Sequence, residues 1–216
     1  IVHNAVGAKH GIMVFVESPN EPRFHTFAMM PVNANEGEIF PEDIWTVEHE
    51  VERALFGGLL AMMMEEELKE LDEYFQELTE NYPVVGIRQE AVNNVKKTGY
   101  TTSFYFISHL FVKKEYQPIN ELYFNKPKIS KKGLKEQFNV REYEPESFRF
   151  AINLYMKEPN VEPDEEILQQ IVTDIETREG FPRGSYEIAL NDNKINKYTG
   201  IGDKDNTLLI RNIVRQ

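Results

Sequence analysis

Five histidines and no cysteine set the chemical range of this 216-residue chain. Without thiols there is no disulfide, no thiolate metal site and no cysteine nucleophile. One histidine opens His49-Glu50-Val51-Glu52-Arg53. A zinc-protease helix needs His-Glu-x-x-His, so that two imidazoles one turn apart grip the metal while the glutamate polarises water. Arg53 stands where the second imidazole is required, so an ion-paired helix surface is expected here instead. His3, His10, His25 and His109 are scattered, with His25 and His109 inside strand-like runs. Were those two strands to meet across a sheet, a histidine base beside Ser103 or Ser108 would make a nucleophilic site.

Two oxygen-rich stretches have the composition of cation sites. Glu65, Glu66, Glu67, Glu70 and Glu73 crowd one helical segment, and residues 200–206, Gly-Ile-Gly-Asp-Lys-Asp-Asn, lie close in sequence to Asp192. Carboxylates hold a divalent ion only where further oxygens converge on it, and the register and closing glutamate of an EF-hand are missing. A solvated helix face and a surface turn are therefore expected. Lys126, Lys128, Lys131, Lys132 and Lys135 form a basic stripe without the interleaved aromatics of a single-strand binder. The sequence holds no Gly-x-Ser-x-Gly elbow, no P-loop and no dinucleotide fingerprint. The expected catalytic residues, metal ligands and cofactors are accordingly none.

The element that would organise such groups is the helical pattern over 42–82. Ile44, Val47, Val51, Ala54 and Leu55 make one apolar stripe, and Leu68, Leu71, Phe75, Leu78 and Tyr82 a second with an acidic back. Pro41 with Glu42 and Asp43 suits a helix start, and Pro83 ends the pattern. Unbroken, this helix would be about 60 Å long, against a radius of gyration of about 17 Å for a compact domain of this length. The helix is expected either to kink at Gly57-Gly58 or to project at one end. Between the stripes lies a Met-rich apolar run that suits a soft docking surface, because methionine adapts to irregular partners. Phe56, Leu59, Leu60, Met63, Met64, Leu68, Leu71 and Phe75 are the candidate interaction surface, with a core segment as the competing reading.

Around this helix, runs at 11–17 and 23–32 read as a hairpin across Ser18-Pro19-Asn20-Glu21-Pro22. Residues 84–88 form a short strand, and 101–113, apolar on both faces, the central strand. A long proline-punctuated connection spans 115–146. An alternating strand follows over 147–158, then an amphipathic helix over 163–179 with acids first and Gly180 last, and strands over 186–190 and 207–214. The expected fold class is α+β: a mostly antiparallel sheet packed with one long helix and a second amphipathic helix, in a single domain 1–216. Strand, helix and strand over 147–190 would make a ferredoxin-like half if the two strands lie adjacent and parallel.

A net charge of -12 argues against general nucleic-acid or anionic-membrane binding. No targeting segment or span of roughly 20 apolar residues is visible, so the compartment stays open. The chain opens at Ile1 without an initiator methionine, and an upstream segment is expected. Two functions follow. The first is a non-catalytic structural or assembly subunit of a larger complex, such as a virion or other multi-protein particle, partnered by other protein subunits or a second copy. The second is a small hydrolase using scattered histidines and carboxylates with a divalent cation, which requires His25 or His109 within hydrogen-bond reach of a Ser, Asp or Glu in a concave pocket.

Overall fold

The structure is a computed structural model that describes residues 1–9, 11–33, 36–94, 98–193 and 206–216. Among them are six α-helices and two sheets in which all strand pairs but one are antiparallel, a mixed α/β fold. The chain is built as two compact units. Residues 1–63, 89–101 and 111–139 make the first; 64–88, 102–110 and 140–216 make the second.

The one long helix is instead two: α1 (Glu50–Met63) in the first unit and α2 (Glu65–Asn81) in the second. The break falls at Met64, whose backbone leaves the helical region at φ -105° and ψ 21°. Glu65, Glu66 and Glu67 then begin a new helix, where acids complement the positive end of the dipole. The glycine pair does not bend. A Cβ on Gly58 would stand 2.7 Å from the Arg23 carbonyl oxygen, and one on Gly57 3.0 Å from the Gly99 Cα. These glycines permit close backbone packing inside α1. Upstream, Ile44 and Val47 do not join the helix. Pro41–Asp43 is a 3-10 turn, and Trp45 pairs with Met29 through N–H···O bonds of 2.7 and 3.0 Å, which holds this segment extended.

In the first unit β1 (Val2–Ala8), β2 (Gly11–Glu17), β3 (His25–Asn33) and β4 (Glu38–Ile39) form an antiparallel meander. The hairpin was legible; β1 was not. α3 (Gln89–Asn94) belongs to this unit, and the 115–146 connection carries α4 (Lys113–Asn125) and α5 (Lys131–Gln137). Ser130 caps α5 by accepting from the Gly133 N–H at 3.1 Å. The interior gathers on α1: the Phe56 ring meets Phe111, Tyr116 and Phe138 at 5.4–5.7 Å between centroids.

The second unit is a sheet in the order β5 (Val84–Val85), β7 (Phe148–Met156), β8 (Gly184–Asn191), β9 (Thr207–Arg215), with β6 (Tyr105–His109) also on β7. The central strand is therefore β7, and β6 shares its outer edge with β5 at opposite ends. Only five residues of 101–113 are strand, because Leu110 and Val112 are exposed and Lys113 already starts α4. β7 and β8 are adjacent and parallel, joined through α6 (Glu165–Thr177). Asp164 caps that helix, accepting from the N–H groups of Glu166 and Ile167 at 2.8 and 3.2 Å. Ile167, Leu168, Ile171, Val172 and Ile175 are buried, as the spacing predicts.

Candidate metal centre

Three adjacent strands of the first unit bring His3, Glu17 and His25 together. Glu17 and His25 are cross-strand partners at the end of the β2–β3 hairpin, so their side chains emerge on one face. Strand alternation puts Phe15 and Phe27, both buried, on that face. His3 arrives by an irregularity: the β1–β2 register shifts between Val2 and Asn4, leaving it as the extra residue of a bulge. Bulges re-aim a side chain in this way. On its far side the His25 backbone pairs with Gly99, by N–H···O bonds of 2.8 and 2.9 Å.

One ligand atom from each residue lies within 4.8 Å of the other two. His3 Nε2 is 2.7 Å from Glu17 Oε2, His25 Nε2 is 4.0 Å from the same oxygen, and the imidazoles stack with centroids 6.4 Å apart. Tetrahedral zinc with bonds near 2.1 Å separates its ligand atoms by about 3.4 Å. The 2.7 and 4.0 Å separations lie on either side of that value. His25 is buried, and the Asn93 side chain on α3 is a hydrogen-bonding neighbour that falls short of full geometry at either ring nitrogen. A buried imidazole so weakly engaged is costly unless something else binds it. Burial drives its pKa below 6.5, and His3 adds to this, against the opposing pull of Glu17 and of the nearby Asn93 side chain on α3. The ring is thereby kept neutral, the form that binds metal.

Among the described residues this is the one group of His and carboxylate side chains with such convergence. The sequence does not single out this cluster for two reasons. No spacing motif links residues 3, 17 and 25, and β1 is invisible to periodicity. The hairpin register was the available signal, since it pairs Glu17 with His25.

The other candidates do not converge. His49 precedes α1 with a φ of 63° and faces Glu48 at 3.3 Å and Lys113 at 3.4 Å. His109 lies on β6, in a different sheet from His25, so the two do not face each other across one sheet. Glu65, Glu66, Glu70 and Glu73 stand on the exposed side of α2, with Glu73 paired to Lys69 at 3.3 Å. Residues 200–205 lie outside the described residues, as does His10; Asp192 Oδ2 accepts from the Asn206 amide at 3.0 Å. Phe56, Leu59, Leu60 and Met63 on α1, Met64, and Leu68, Leu71 and Phe75 on α2 are all buried. No helix among the described residues is long and apolar enough to cross a membrane.

No curated protein matches the chain. Its fold resembles the crystal structure of a DUF1672 family protein from Staphylococcus aureus subsp. aureus Mu50, with a TM-score of 0.66 and 16% identity, over 100% of this chain and 81% of that one. A family model described as Protein of unknown function (DUF1672) matches residues 1–215, and the chain belongs to that family.

Proposed function

We propose that the protein binds a first-row divalent transition metal through His3, Glu17 and His25. The observation that carries this reading is the convergence of the buried His25 ring with a second imidazole and a carboxylate, one ligand atom from each within 4.8 Å of the other two. Two imidazoles and one carboxylate suit zinc or iron, and leave coordination positions for water. The acidic surface favours cation approach. The hydrolase reading would run through this same centre, with metal-bound water as the nucleophile. The test is calorimetric titration of chelator-treated protein with Zn²⁺. About one equivalent should bind, and His25→Ala or His3→Ala should weaken binding roughly 100-fold, while His109→Ala leaves it unchanged. Binding that survives loss of either ligand, or no saturable binding, rejects the site.

A second reading, an interaction subunit of a larger assembly, is favoured by a different surface from the one expected. Ile39, Ile44, Trp45 and Val47 are each at least half exposed, between Glu38, Glu42, Asp43 and Glu48. The backbone here is pinned: Trp45 pairs with Met29, and the Thr46 hydroxyl donates to the Phe27 carbonyl at 2.9 Å. A rigid, acid-bordered aromatic suits a protein partner with basic and apolar character, a second copy included. Light scattering coupled to size exclusion would support self-assembly by a mass above 25.2 kDa that Trp45→Glu restores to monomer. A monomer at every concentration would exclude the second copy as partner.

A further inference from the structure

The second unit holds a cavity of about 490 Å³ whose charged lining is Arg141, Arg183 and Glu67 and whose apolar lining includes Met64, Val140, Phe181 and Pro182. Its volume is in the range of small-molecule sites. The Phe181-Pro182 wall is held in place. Arg215 donates to the Phe181 carbonyl at 3.2 Å and its guanidinium lies 5.7 Å from the Phe181 ring; the Tyr186 hydroxyl donates to the Pro182 carbonyl; and Tyr74 packs on Phe181 at 5.2 Å.

The arginines of this region divide by what engages them. Arg178 pairs with Glu77 at 3.2 Å, and Arg215 also donates to carbonyls at the end of α6. Arg183 makes one protein hydrogen bond, from Nη1 to the Arg141 carbonyl at 2.8 Å, and its Nε is buried without a partner. No carboxylate among the described residues lies within ion-pairing distance of it, although Glu67 lines the same cavity and has its own Oε2 buried without a partner. A guanidinium carries a planar fork of donors matched to a carboxylate, and a buried carboxylate oxygen calls for a donor. Arg183 and Glu67, opposite in sign and both lining one apolar-walled cavity, suit a bipolar ligand.

We infer that this cavity binds a small zwitterion of the amino-acid class, its carboxylate on Arg183, its ammonium toward Glu67 and an apolar side chain against Phe181 and Pro182. A free amino acid and a short peptide share this chemistry, and the volume admits either. The inference is independent of the metal centre, which belongs to the other unit.

The test is calorimetry on the full chain, free of added metal, with L-phenylalanine, phenylalanyl-phenylalanine, N-acetyl-phenylalanine and phenylalaninamide. Saturable binding of the amino acid or the dipeptide is expected, weakened about tenfold or more when either charge is blocked, and by a similar factor in Arg183→Gln and in Glu67→Gln. The tighter of the first two identifies the source. Circular dichroism of both variants should match the parent, and an unfolded Glu67→Gln leaves Arg183→Gln and the blocked ligands to decide. The inference is overturned if neither zwitterion saturates the protein below ~10 mM, or if the amide binds as tightly as the free acid.

Discussion

The two units solve the same problem, covering a sheet, with opposite materials. In the second, the sheet face is aromatic and dry: Phe150 stacks on Tyr186 at 4.8 Å and meets Tyr105 at 6.5 Å, and all three are 2% exposed or less. In the first, the end of the meander face carries two imidazoles and a carboxylate next to Phe15 and Phe27. Dense apolar packing supplies stability but offers no chemistry. A buried polar cluster without full partners costs stability and is retained where it has a use. The contrast sets a dry aromatic sheet face in one unit against a sheet face carrying candidate metal ligands in the other.

The largest effect that sharpens this contrast is Phe150→Ala, which should cost about 3–5 kcal/mol by urea denaturation, since it empties the centre of the aromatic stack. Next, Gly58→Ala should destabilise by about 1–3 kcal/mol, because its Cβ meets the Arg23 carbonyl. Were the glycine a hinge in an open helix, the same change would instead stabilise by roughly 1 kcal/mol, so the sign of the shift decides. His25→Leu should abolish metal binding yet leave the metal-free protein within about 1 kcal/mol of the parent, or above it, because it removes two buried nitrogens that lack full hydrogen-bond geometry. A loss as large as that of Phe150→Ala would erase the distinction between the units.

The smallest effect concerns Asp72 on α2, where burial raises the carboxyl pKa above 3.8 and a hydrogen bond with Tyr105 opposes it. A raised carboxyl means that the folded state holds its proton more tightly than the unfolded one. Its contribution is favourable below 3.8 and lost as pH rises through the folded value. Asp72→Asn should therefore stabilise at pH 7 by less than about 1 kcal/mol, since the carboxylate keeps part of its hydration. The gain should vanish below pH 3.8, as thermal melts across pH would show.

Periodicity was sufficient where an element buries one regular face. α6 and its acidic start, the β2–β3 hairpin, and the stripe from Leu68 through Leu78 could all be read directly. It failed where tertiary contact overrides local preference. Ile44 and Val47 fit a helical stripe, yet β3 holds their segment extended through Trp45. The metal candidate was half legible: a hairpin pairs Glu17 with His25, but His3 enters through a bulge on a strand without a hydrophobic pattern.

Composition and spacing alone determined that this chain has no thiol chemistry, that its surface is acidic, and that helices and mostly antiparallel strands are its elements. These depend on residue types and on neighbours a few positions apart. Only the tertiary structure decided that the long helical pattern divides at Met64 between two units, that the glycine pair serves packing, and that residues 3, 17 and 25 converge. Each of those depends on which distant segment a backbone meets, and sequence separation does not encode that distance.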